Sequence, residues 1–189
     1  DNLDSTPMAG EKEDAHIARV YIAANREIEK DPGITLQVNT LMQLVENGDP
    51  PAVKKFRREV SRCLDGFRVT MKDLNVVHDR FVWESDFIRN GYTDRIIAKL
   101  RKLPQARDEE TLALDLSEFG FENKYVIRRS DGTSVYAARD LAYHGWKAAN
   151  FDRVIDVLGA DHKLIAAQLQ CTMKLLGEKV PEIVHFEFV

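Results

Sequence analysis

Cysteine is nearly missing from this sequence: Cys63 and Cys171 lie far apart, with no CxxC pair and no neighbouring His spacing. That excludes a disulfide framework and offers no zinc-ligand set, so a reducing, cytoplasmic setting is expected and no metal site. Long apolar runs are missing as well. None approaches the roughly 20 residues that span a bilayer, and the opening DNLDSTPMAG is acidic where a secretory signal would be basic. No membrane or targeting segment is expected. An excess of positive charge is lacking too: the formal net charge is -4, so the surface as a whole is not built to bind phosphate backbones, although one basic face is compatible with it. Neither a Gly-rich dinucleotide fingerprint nor a phosphate-loop lysine motif occurs, and Ser, Cys and His form no nucleophilic set. The usual NAD, P-loop and covalent-catalysis explanations therefore lack their key residues.

What is present is a globular composition, 44% hydrophobic and 31% charged over 189 residues, sufficient for one domain or a small domain plus part of another. Ile17, Val20, Ala24 and Ile28 recur at helical spacing between Glu11 and Glu29, and the pattern stops before Asp31-Pro32-Gly33. A second helix is expected over Gln37 to Val45, ended by Asn47-Gly48-Asp49 and Pro50-Pro51. A third runs from Ala52 to about Leu74, with Phe56, Val60, Leu64, Phe67, Met71 and Leu74 on one stripe. Its opposite face carries Lys54, Lys55, Arg57 and Arg58, a run that reads as a solvated face rather than an RNA contact. Beyond Asn75 the sequence suggests a short strand at Arg80 to Trp83, a helical turn at Ser85 to Arg89, and a helix capped by Thr93. The polar segment Pro104 to Glu110 reads as a surface loop. It divides a mainly helical region, 1–110, from a β-containing region, 111–189.

In the second region Leu112, Leu114 and Leu116 alternate, and Tyr125-Val126-Ile127 and Val135-Tyr136 flank Ser130-Asp131-Gly132-Thr133, a hairpin signal. Asp140 to Lys147 and His162 to Leu176 read as helices. Arg153 to Leu158, apolar except for Asp156, and Ile183 to Phe188 read as strands. Alternation of strand and helix implies an α/β fold with a parallel sheet, and ligands then gather where strands turn into helices. Two such corners stand out, Tyr136 to Asp140 and Gly159 to His162. As plain structure, Asp140 and Asp161 suit helix N-termini. As chemistry, Asp140 beside the Tyr136 phenol offers a partly buried acidic pocket for a planar guanidinium. Gly159 lets a ligand approach the backbone, Asp161 suits ribose hydroxyls, and His162 donates or accepts at neutral pH.

The run Arg128 to His144, RRSDGTSVYAARDLAYH, resembles the segment around the Tyr-x-x-Arg-Asp motif of arginyl-tRNA synthetases, class I aminoacyl-tRNA synthetases. Downstream, Phe151 to Lys163, FDRVIDVLGADHK, resembles the same family's strand-to-helix corner at the expected separation. The upstream helices, with Glu84-Ser85-Asp86-Phe87, resemble its inserted and connecting region, so the likeness covers most of the chain. It implies a helical connecting region followed by the second half of a Rossmann-like nucleotide-binding sheet. It also implies activation of arginine with ATP and Mg2+ to an adenylate, in the presence of tRNA, and transfer to the terminal adenosine of tRNA(Arg). Tyr136, Asp140 and His162 match positions that hold arginine, the last being Gln in some members. Gly159 and Asp161 match the adenosine side. The His-x-Gly-His and Lys-Met-Ser-Lys-Ser signatures are both missing. The chain is therefore expected to be an internal piece, with no catalytic residue of its own, no tightly bound cofactor, and no activity in isolation. The rivals are a non-catalytic arginine or nucleotide-binding module, and an unrelated α/β protein whose acids merely cap helices.

Overall fold

Asp31 and Asp49 each cap a helix with their carboxylates. In the computed structural model, which describes residues 5–130 and 135–187, Asp31 accepts from Gly33 N at 2.7 Å and Asp49 from Ala52 N at 2.9 Å. These caps start α2 (Pro32–Glu46) and α3 (Pro50–Asp73), which follow α1 (Glu13–Ile28). Pro50 and Pro51 open α3 rather than only breaking the chain before it, because a first-turn proline has no helical N–H bond to lose. The Asp31 cap likewise starts α2 upstream of the expected Gln37. No strand forms at Arg80 to Trp83.

Packing divides the chain into two units, Asp1–Val82 and Trp83–Val189. The first holds α1 to α3. The second begins with α4 (Glu84–Arg89) and α5 (Tyr92–Leu100). Gly91, at φ +68°, and not Thr93, precedes α5; Thr93 lies inside the helix and is buried. The division falls earlier than the change of sequence pattern near residue 110 because Phe87, Ile96, Ile97 and Leu100 enter the second unit's core.

Three short antiparallel strands follow in the order β1 (Ala106–Asp108), β2 (Leu112–Leu114), β3 (Tyr125–Arg128). The segment read as a loop thus contains an edge strand. Then come α6 (Tyr136–Asn150), β4 (Ile155–Gly159), α7 (Lys163–Leu175) and β5 (Glu182–Phe186), with β4 and β5 parallel from Ile155↔Glu182 to Gly159↔Phe186. The fold is α/β with a helical region, but its strands form two sheets. The link from β2 to β3 is too short for the crossover that a parallel pair requires, so those strands run antiparallel. Phe188, at the end of the last expected strand, and residues 131–134 of the expected hairpin lie outside the described residues. Its second arm reduces to one bond, Val135 N to Ile127 O at 3.1 Å, before α6 begins at Tyr136. Leu100, Leu112, Leu114, Ile127, Leu141 and Met173 are fully buried between these layers. Among the described residues no helix is long and apolar enough to cross a membrane.

Candidate functional site

Small residues make one side of α6 and chemistry makes another. Ala137, Ala138, Leu141 and Ala142 are buried, and the helix packs on α4, α5, α7 and β3. That leaves Tyr136, Asp140, His144 and Lys147, spaced at helical intervals, as a second stripe. Asp140 lies five residues into the helix and is not its N-cap; Val135 holds that place. The bland reading of Asp140 as a cap is thereby removed. Its carboxylate is partly buried and accepts no hydrogen bond from the described residues. Burial pushes its pKa up, the charges of Glu84 and Asp156 add to this, and His144 and Lys147 oppose it.

Tyr136 stands one turn before Asp140 on the same stripe, but its side chain is 73% exposed. The Arg139 guanidinium lies 5.3 Å from its ring centroid and reaches Glu84 Oε1 at 3.2 Å. Below, on β3, the Tyr125 hydroxyl is buried with no partner among the described residues, and burial together with the nearby Asp140 charge pushes its pKa up. The Asp140 carboxylate is therefore an acceptor with no donor among the described residues, within electrostatic reach of the Tyr125 phenol.

The second corner is open. Gly159 has extended backbone, φ -63° and ψ 155°, so its need is space and not a left-handed turn. A Cβ there would fall 2.5 Å from Asp161 Oδ1. Asp161 sits in a single 3-10 turn with no capping bond, 3.5 Å from His162 Nε2, and the two side chains are 76% and 54% exposed. The structure thus pairs Tyr136 with Asp140 on one helix face and gathers Gly159, Asp161 and His162 at one strand end. Among the described residues no hydrogen bond or ion pair joins the two groups directly. Only the second group ends a strand of the parallel pair; α6 follows the antiparallel β3.

A family model described as the catalytic domain of class I tRNA synthetases (R) matches residues 3–189. The chain belongs to this family. It is 77% identical over its whole length to the arginine–tRNA ligase of Methanoregula boonei and 59% identical to that of Methanosphaerula palustris, covering 34% of each protein. The chain therefore spans about a third of the length of these curated relatives. A solved arginyl-tRNA synthetase from Thermus thermophilus shares the fold over 96% of this chain and 37% of its own, with a TM-score of 0.74 at 23% identity.

Within this class I synthetase domain, sequence reasoning passed over the residues that connect the two corners. His144 and Lys147 of α6 both reach Asp156 of β4, at 2.7 and 2.6 Å. Burial alone would raise the Asp156 carboxyl, but the bonds from His144 and Lys147 prevail and hold it below the usual range. The available signal was an acid in the middle of an otherwise apolar strand, which is costly unless partnered. Among the described residues no group of three or more His, Cys, Asp or Glu gathers as a metal site.

Proposed function

We propose that this chain is the part of an arginine–tRNA ligase that holds the amino acid and the adenosine during activation. The enzyme would join arginine to ATP as arginyl-adenylate, releasing pyrophosphate, and pass the arginyl group to tRNA(Arg) in the cytoplasm. The observation that carries this reading is the Asp140 carboxylate: partly buried, without a hydrogen-bond donor from the described residues, and one helical turn from an exposed tyrosine. A partly desolvated carboxylate without a donor is disfavoured as an anion, and a guanidinium supplies paired donors and the opposite charge at once. Tyr136 and His162 would border the arginine, and Gly159 and Asp161 the adenosine. Mg2+ would enter with the ATP phosphates, and no residue of this chain is assigned to it.

The domain reading follows the same line. Residues 1–110 would be inserted and connecting material and 111–189 the second half of the nucleotide-binding domain. Parallel sheets are normally covered on both faces, yet Val157, Val184 and Phe186 of β4 and β5 are 64%, 50% and 49% exposed. Helices packed on the faces of this pair in a larger domain would account for that surface.

The test is ATP–pyrophosphate exchange by the full-length protein that carries this segment, expected to require both arginine and tRNA. Exchange driven by another amino acid would overturn the substrate assignment. Asp140→Ala should raise the KM for arginine by about a hundredfold or more while leaving the KM for ATP within about threefold. Equal effects on both would reduce Asp140 to a structural role.

A further inference from the structure

Three ionisable side chains on two elements are largely buried together near the Asp140 site. His144, Lys147 and Asp156 are 11%, 13% and 14% exposed. Lys147 Nζ lies 2.6 Å from Asp156 Oδ1 and 2.8 Å from His144 Nε2, which is itself 2.7 Å from Asp156 Oδ2. The other ring nitrogen, Nδ1, is 2.7 Å from the backbone oxygen of Asp140. A carbonyl brings no proton, so Nδ1 must carry one and donate it. The opposite nitrogen then has two satisfied states. Protonated, Nε2 donates to Asp156; unprotonated, it accepts from Lys147. Asp156 cannot drift, because it stands mid-strand opposite Ile183 in the parallel ladder.

As a staple between helix and strand this arrangement is a poor choice, since an apolar cluster of equal volume generally holds a core as well or better. What an apolar cluster lacks is direction and charge. We propose that Asp156, His144 and Lys147 are positioning residues for the Asp140 site: they fix the turn of α6 that carries Asp140 against β4 and set the field in which its carboxylate meets a cationic ligand. This rests on reading Asp140 as the guanidinium acceptor. The groups facing Asp140 come from four elements: Glu84 of α4, engaged by Arg139; Tyr125 of β3; His144 and Lys147 of α6; and Asp156 of β4. Lys147 and the His144 imidazole thus stand against two acids around one carboxylate.

The test reads the Asp140 carboxyl directly, by carbon NMR titration of the 189-residue chain. Asp156→Asn removes a negative neighbour and should move the Asp140 midpoint down by about half a pH unit. Lys147→Gln removes a positive one and should move it up by a similar amount, and Lys147→Arg should restore it. A staple with no electrostatic role would shift both variants the same way or neither, and that result in folded chains overturns the proposal. Should Asp156→Asn fail to fold, the Lys147→Gln and Lys147→Arg pair decides alone. In the full-length enzyme Asp156→Asn should raise the KM for arginine about tenfold with the KM for ATP within about twofold; an unchanged arginine KM also overturns it. Failure of the arginine reading looks different: the unsubstituted enzyme would show no arginine-dependent exchange, while the opposed NMR shifts would persist and support the network.

Discussion

The two units of this chain are built from equally periodic sequences and end up with very different interiors. In the second, seven large side chains, Leu100, Leu112, Leu114, Leu116, Ile127, Leu141 and Met173, are buried below 2% exposure in one cluster. In the first, the buried positions of α1 and α3 are His16, Ala52 and Gly66, while Phe56, Phe67, Leu36 and Tyr21 are 43%, 46%, 69% and 68% exposed. Polar contacts do much of the holding there. Lys12 reaches Thr70 at 2.6 Å, Arg62 bridges Glu13 and Glu59, and Glu11 collects Met8 N, Arg19 and His16. A hydrophobic stripe therefore reports that a helix is amphipathic, not that the chain in hand covers the stripe.

A core truncation should separate the units. Leu141→Ala should cost the second unit about 3 kcal/mol, whereas Phe67→Ala should cost the first less than about 1 kcal/mol. Both tryptophans, Trp83 and Trp146, lie in the second unit, so their fluorescence follows that unit, while far-UV circular dichroism follows both. Urea curves from the two probes should not coincide, and Leu141→Ala should move only the fluorescence transition substantially. Coincident curves in every variant would mean one cooperative core.

Gly66 supplies the next largest effect, in the other unit. A Cβ there would fall 2.5 Å from the backbone nitrogen of Asp14, where α3 meets the start of α1. Ala would gain about 1 kcal/mol of helix propensity, but backbone cannot swing aside as a side chain can. Gly66→Ala should therefore destabilise the first unit by about 1–2 kcal/mol net, visible in circular dichroism and silent in fluorescence. A stabilised variant would show that α1 and α3 tolerate separation.

The helices, the parallel pair and the chain of motifs were legible in the sequence because each rests on short-range chemistry: periodicity along α1 and α3, apolar runs at β4 and β5. Asp31 and Asp49 mark only breaks in the sequence pattern, and the structure shows them as caps. What escaped depended on distance or on counting. The antiparallel β1-β2-β3 sheet follows from a link too short for a crossover, a constraint that alternating strand and helix signals obscure. Tyr136 and Asp140 were selected as a strand-to-helix corner, yet they share a face because both lie inside α6. The His144–Lys147–Asp156 network joins residues whose partners no local pattern reveals.

Acid should act through Glu11 and Asp140 with opposite signs. Arg19 first, then Met8 N–H, hold the Glu11 carboxyl at about 2, against an ordinary value of 4.5. Its contribution to the first unit is complete above 4.5 and is lost as pH falls through about 2. Asp140, raised by burial, binds its proton more readily folded than unfolded, so acidifying through its raised value toward the ordinary 3.8 favours the second unit. Asp156, held below 3.8, withdraws stability only on further acidification. Urea midpoints by fluorescence should thus hold or rise slightly from neutrality to about pH 4, and Asp140→Asn should abolish any rise. A fluorescence midpoint that falls less steeply in Asp140→Asn than in the unsubstituted chain would reverse the sign assigned to Asp140.

The smallest effect belongs to the clip between β4 and β5. Arg153 grips Glu182 through two bonds of 2.6 and 2.7 Å, geometry that would rank high in a buried setting, but the side chains are 69% and 55% exposed. Water screens the pair and both long side chains must be ordered to form it, so Arg153→Ala should leave the urea midpoint of the second unit within the scatter of the measurement, and closer still in high salt. The same ladder is held without it by backbone pairing along five registered positions. A loss well above that in the fluorescence transition would mean that this two-stranded sheet depends on its rim, and that the buried Asp156 contacts anchor it less firmly than their geometry implies.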